Sequence, residues 1–274
     1  MNGQLLVFNS NLSLFDATNT LAEHNIFCAV IWDSVGRDFI KLFTIRDILE
    51  ILVFLTEQLE IEYPGKAQNL KADDTETIIK FLKTIESKFA KEEITVMEID
   101  DIASNSSAGY GFLLEVMKSI KLIDWVHYAG KIIDHKPELL VTMSLKDSLF
   151  DACREMTTKK IHRIAVVENS GNSKRLCGII THDMIMGYII SNMQGDPKVF
   201  EVPIKEIGLD TKEFVYKNSK SSLIQVLKCI RNKKISFLPI VDDTAPAGTY
   251  PTIGFFSLKD LTKLIRDKKY HMVI

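Results

Sequence analysis

Hydrophobic and polar positions along this chain follow a scheme that occurs three times: a short extended run, a helix-spaced apolar stripe, two strand-like runs parted by a polar turn, and a second helix. The extended runs are Leu5 to Phe8, Leu139 to Thr142 and Phe214 to Tyr216. The stripes are Leu14, Ala17 and Leu21; Leu149, Ala152 and Met156; and Leu223, Val226 and Ile230. Their i, i+3, i+7 spacing puts each set on one helical face, which the pattern predicts to be buried. The turns between the strands are 34–38, 169–173 and 242–251, all rich in Gly, Pro, Ser, Asn or Asp.

The register is close. Ser-Leu-Phe-Asp-Ala occurs at 13–17 and again at 148–152, and Ser13, Ser148 and Ser222 each precede an isoleucine (Ile26, Ile161, Ile235) by 13 residues. Lengthening of the turn accounts for the one spacing that varies, from the first helix start to the second. A supersecondary unit of this kind does not bury its own apolar face, so copies must pair, and the seam between them is where small ligands settle.

The second helices begin at Thr44-Ile45-Arg46-Asp47, Thr181-His182-Asp183-Met184 and Ser257-Leu258-Lys259-Asp260. Two of the three read Ser/Thr-x-x-Asp. That pattern caps a helix, the hydroxyl and carboxylate taking up free backbone N–H groups at its positive end. The same groups can accept hydrogen bonds from a ribose diol, with the helix N-terminus favouring phosphate. Lys159, Lys160, His162 and Arg163 cluster where a strand of the second repeat begins; this is either a solvated basic edge or, with the two helix starts, an anion site.

Composition narrows the class. Of 274 residues 46% are apolar and 26% charged, enough for a full core, and 34 basic against 36 acidic residues give a net charge of −2. No basic footprint for nucleic acid follows from that balance. Cys28, Cys153, Cys177 and Cys229 form no Cys-x-x-Cys pair, so they point to reduced thiols in cytosol or nucleus rather than a zinc site. No stretch reads as a secretory signal or a membrane helix, and no hydrolase, zinc-protease, P-loop or kinase signature is present. The expectation is a non-catalytic protein of cytoplasm or nucleus, without a catalytic or metal site.

The motifs Ala29-Val30-Ile31-Trp32-Asp33 with Leu42 to Asp47, Ser148 to Ala152 with Lys160 to Arg163, Ile180-Thr181-His182, and Leu238 to Asp242 with Ser257 to Asp260 resemble the cystathionine-beta-synthase (CBS) domain. More closely, their order resembles the gamma regulatory subunits of AMP-activated and Snf1-type protein kinases, over about 5–56 and 122–268. The resemblance implies a mixed α/β (α+β) fold of tandem β-α-β-β-α repeats: repeat one over 1–57, an insertion over 58–121, repeat two over 122–195 and repeat three over 196–274. It has the first two repeats pairing across the insertion. It also implies a regulatory ligand (AMP, ADP or ATP) in place of a cofactor, and kinase alpha-type and beta-type subunits as partners. Thr44, Asp47, Ser257 and Asp260 take ribose positions; Lys160, His162 and Arg163 take phosphate positions; Thr181 opens the remaining helix. Three residues depart from the pattern: Phe27 stands in place of an Arg, Asp183 in place of a Lys, and Met184 where the ribose carboxylate belongs.

No fourth repeat is recognised, so the third is expected to need a cover, whether the insertion, a partner subunit or a second copy in a homodimer. Within the insertion, Asp73-Asp74-Thr75-Glu76 reads as a helix start, followed by Ile78, Leu82, Ile85 and Phe89 on one face. Glu98, Asp100 and Asp101 read as a solvated acidic turn and 103–111 as a flexible loop. Two other readings stand beside a nucleotide sensor: a scaffold that assembles a kinase complex without sensing, and a standalone CBS regulator of another protein.

Overall fold

The computed structural model describes residues 5–89, 110–132, 140–171, 173–192, 201–207, 214–242, 244 and 250–268. Among them the β-α-β-β-α order occurs three times. The first repeat is β1 (Val7–Asn9), α1 (Leu14–Glu23), β2 (Cys28–Asp33), β3 (Asp38–Thr44) and α2 (Ile45–Glu62). Three helices follow: α3 (Thr75–Phe89), α4 (Tyr110–Ser119) and α5 (Leu122–Ile132). The second repeat is β4 (Thr142–Met143), α6 (Leu149–Lys159), β5 (Arg163–Ser170), β6 (Ser173–Thr181) and α7 (His182–Asn192). The third is β7 (Lys217–Asn218), α8 (Leu223–Lys233), β8 (Phe237–Val241), β9 (Thr252–Ser257) and α9 (Leu258–Arg266). Each repeat forms its own three-stranded sheet, the first strand parallel to the second and the second antiparallel to the third.

The sequence register reaches into backbone detail. Ser13, Ser148 and Ser222 are extended N-caps. The helices they start stop at Asn25, Lys160 and Lys234, all left-handed with φ of 52°, 54° and 54°. Next in line, the N–H groups of Ile26, Ile161 and Ile235 donate back to Leu21, Met156 and Ile230 at 2.9, 3.0 and 3.2 Å, closing the helix end. A β-bulge interrupts each hairpin at the matching place, between Ile31 and Trp32, Val166 and Val167, and Ile240 and Val241.

The described residues fall into two compact units, those up to 139 with those from 216, and those of 140–215. The larger unit therefore joins the first repeat to the third. Helix α1 packs on α9, and α2 packs on both α8 and α9. Arg231 on α8 forks onto Glu57 of α2 with both N–O distances 2.8 Å, and the Arg46 guanidinium donates to the Ile235 carbonyl at 3.1 Å. The third repeat, expected to need the insertion, a partner subunit or a second copy as its cover, thus packs its helices on those of the first.

Helix α2 is buried nearly all round, with Ile48, Leu49, Ile51 and Val53 wholly inside. One side faces α8 and α9, and another meets α5 through Phe54, whose ring lies 4.6 Å from Tyr128 and 6.2 Å from Trp125. Residues 122–132, expected in the second repeat, thus belong to the core of the first. Backbone bonds agree: Leu122 and Ile123 donate to Leu12 and Ser10, both at 2.9 Å. The insertion helix is capped by Asp74, which accepts the Thr77 N–H at 3.0 Å, and it buries Ile78, Leu82 and Ile85 as the spacing predicts. Phe81 is buried too, 5.5 Å from Phe112. Residues 110–111, expected in a loop, open α4; the side chain of Phe89 and the Glu98, Asp100 and Asp101 cluster lie outside the described residues.

In the smaller unit, Met143, Ala152, Met156, Ile161, Ile164 and Ile185 form the core. Leu149 is exposed here, against the expected burial of its stripe, and so are Met184, Tyr188 and Ile190 on α7. The counterpart stripe on α1 is wholly buried because α4, α5 and α9 cover that helix. None of the four cysteines forms a disulfide, and each is half-buried.

Two outcomes test the larger unit. A double-mutant cycle on Glu57→Ala and Arg231→Ala, followed by denaturant unfolding, should give a coupling of about 1 kcal/mol that shrinks as salt is raised. Burial, with the nearby Asp124 carboxylate adding, raises the pKa of Glu86, and burial also raises that of Asp124. A carboxyl whose folded pKa is raised loses stability as pH climbs through it, so Glu86→Gln should raise the melting temperature at pH 7 and lose that advantage below about pH 4.

Candidate functional site

Both Ser/Thr-x-x-Asp helix starts lie in the larger unit, one on each side of the seam between the first and third repeats. At the third repeat, Asp260 Oδ2 accepts the Ser257 N–H and hydroxyl, both at 2.7 Å. At the first, Asp47 Oδ2 accepts the Thr44 N–H at 2.8 Å and its hydroxyl at 2.9 Å. These are reciprocal capping boxes, so capping is what both motifs do in the structure.

The two starts differ at the other carboxylate oxygen. Asp47 Oδ1 takes the Lys41 ammonium at 2.6 Å, and both side chains are largely buried. Asp260 Oδ1 has no partner among the described residues. Lys41 stands three residues before Thr44, where the other repeats have Gly178 and Gly254. A Cβ built on either glycine meets nothing within 4 Å, so the space beside Ser257 and Asp260 is open. The sequence reading missed Lys41; laying the three repeats in register is enough to expose it.

Cations reach across the seam from both helix starts. Arg46, next to Thr44 and Asp47, bonds the third repeat at Ile235, and Lys259, next to Ser257 and Asp260, lies 5.5 Å from the ring centre of Phe27 in the first. Phe27 thus supplies an aromatic face where the resemblance has a guanidinium.

The expected phosphate residues lie in the smaller unit. Arg163 and Thr181 are register partners at the open end of the β5–β6 hairpin. His162 Nδ1 is 3.2 Å from His182 Nδ1, the two rings edge to face at 5.1 Å, a contact the sequence did not reveal. Thr181 Oγ1 accepts the Met184 N–H at 3.3 Å, and the carboxylate of a capping box is missing because Met184 fills its position. Lys160 is the left-handed stop of α6, and Lys159 pairs with Glu155 on the same helix at 2.7 Å. Among the described residues no group of three or more His, Cys, Asp or Glu converges as a metal site would, and no helix is long and apolar enough to cross a membrane.

With this geometry in place, the chain can be set beside known proteins. The model of the CBS domain matches residues 135–191 and 204–267, which span the second and third repeats. These two segments are matched as CBS domains. The first repeat, outside that match, has the same element order and bulge position.

Among curated proteins, the CBS-containing chain is similar to the 5'-AMP-activated protein kinase subunit gamma of Dictyostelium discoideum, 23% identical over 264 residues, 96% of this chain and 36% of the relative. It is also similar to subunit gamma-3 of Homo sapiens, 20% identical over 274 residues, 98% of this chain and 43% of the relative. The chain thus spans about two-fifths of the length of the curated relatives it matches. Solved structures similar to it include a CBS domain-containing protein from Kribbella flavida (TM-score 0.40, 11% identity, 69% of this chain and 94% of that one). Another is CBSX2 in complex with AMP (TM-score 0.37, 14% identity, 69% and 90%).

Removing each carboxylate separates its structural share. Asp260→Ala should cost about 1 kcal/mol of unfolding free energy, the usual loss of a cap. Asp47→Ala should cost measurably more, because it also strands the half-buried Lys41 ammonium; thermal unfolding of both variants at low salt checks the order.

Proposed function

We propose that this chain is a regulatory, adenine-nucleotide-binding gamma-type subunit of an AMP-activated or Snf1-like protein kinase, working as a sensor of cellular energy state in cytoplasm or nucleus. The observation that carries the reading is the Ser257–Asp260 helix start. It offers a carboxylate oxygen without a partner among the described residues, open space at Gly254 and the Lys259 cation on one side of a CBS seam. A ribose diol can donate to Asp260, an anionic phosphate suits the helix N-terminus and Lys259, and an adenine ring suits an aromatic face such as Phe27. Ser257 completes the ribose position of the proposal, Thr44 and Asp47 form the matching helix start of the first repeat, and Lys160, His162, Arg163 and Thr181 are its second set of phosphate and hydroxyl contacts. AMP, ADP or ATP regulates by binding one conformation of the seam more tightly than another, biasing kinase alpha-type and beta-type partners by that difference alone. The similarity to kinase gamma subunits supports those partners.

A scaffold without sensing is favoured by one observation, the engagement of Asp47 by Lys41. Calorimetric titration of the chain with AMP, ADP and ATP decides between them. The sensor reading expects saturable binding that weakens about tenfold or more in Asp260→Ala, the scale of a lost charged hydrogen bond. Binding unchanged in Asp260→Ala would remove this site, and assembly with kinase subunits in the absence of any nucleotide binding would establish the scaffold.

A further inference from the structure

We infer that Lys41 is a built-in competitor that closes the first-repeat ribose position, so that nucleotide binding in the larger unit runs through Asp260 and not through Asp47. The inference rests on the nucleotide-binding reading above and adds which carboxylate is available and what withholds the other. The three repeats match in strand register down to their bulges, so the position three residues before the second-helix N-cap is a controlled comparison within one chain. Two repeats have glycine there with open space in front; the first has a lysine whose ammonium sits 2.6 Å from Asp47 Oδ1.

Asp47 accepts from Thr44 on Oδ2 and from Lys41 on Oδ1, which engages both of its oxygens. A diol hydroxyl approaching Asp47 Oδ1 must share that oxygen with a charge-assisted bond between two largely buried groups, or displace it and leave the ammonium without its counter-charge. At Asp260 the same hydroxyl meets an oxygen without a partner among the described residues and displaces no cation. Arg46 adds to the asymmetry, since its guanidinium is already committed to the Ile235 carbonyl at 3.1 Å, whereas among the described residues Lys259 makes only a ring contact with Phe27.

Four chains test this: the natural sequence, Asp47→Ala, Lys41→Ala and Lys41→Ala with Asp47→Ala, titrated with AMP, with adenosine and with 2',3'-dideoxyadenosine. Thermal unfolding confirms that each is folded, and Lys41→Gln serves if the alanine variant is not. In the natural chain Asp47→Ala should change AMP affinity by less than about twofold. Lys41→Ala should add a binding event for AMP and adenosine that Asp47→Ala removes and that dideoxyadenosine, lacking the diol, does not show. Adenosine separates release of Asp47 from the loss of a phosphate-attracting charge. A tenfold loss from Asp47→Ala in the natural chain, or no added binding in a folded Lys41 variant, overturns the inference while leaving nucleotide binding intact. Binding in the Lys41 variant alone supports it and removes sensing from the natural chain, whereas no binding in any chain overturns both.

Discussion

Helix α2 is apolar around nearly its whole circumference, and the larger unit is arranged to keep water from it. Neither its own sheet nor any single neighbouring helix can cover a cylinder of that kind. Helices α8 and α9 take one side, and the rings of Trp125 and Tyr128 on α5 meet it at Phe54. From that requirement follow the pairing of the first repeat with the third and the inclusion of the insertion in the core. The matching helix of the second repeat, α7, shows what happens where the smaller unit supplies no such cover: Met184, Tyr188 and Ile190 stay exposed and Ile185 alone of its described residues is buried.

The seam that buries α2 also sets the chemistry. It brings the two carboxylate-bearing helix starts into one unit, and the groups that cap those helices are the groups a ribose would use. Capping and binding are not rivals here, because a carboxylate has two oxygens and a capping box occupies one. What distinguishes the two starts is the fate of the second oxygen, which depends on whether the strand before it carries a glycine or a lysine. One residue therefore leaves the second oxygen engaged at one helix start and without a partner among the described residues at the other, at the cost of placing an ion pair in a largely buried setting.

Much of this was legible in the order of residues. The three β-α-β-β-α repeats, the Ser caps, the two capping boxes and the insertion helix all rest on interactions within a dozen or so residues, where periodicity and turn chemistry act directly. The Lys41 and glycine correspondence was equally present in the sequence. The pairing of repeats was not legible, because all three present similar apolar helix faces and nothing local says which two will meet. Residues 122–132 read as part of the second repeat for the same reason: their aromatic side chains carry no mark of the partner they bury against.

The sequence by itself determined what each segment becomes, since helix spacing, strand runs and caps are satisfied by near neighbours. Only the tertiary structure decided which segments share a core. That choice turns on long-range burial around α2, on the Arg231–Glu57 fork and on the backbone bonds of Leu122 and Ile123 to the first repeat, all between residues far apart in the chain. It likewise decided that Asp47 is held by Lys41 while Asp260 is not, because an ion pair depends on where a side chain comes to rest as well as on which residue is present.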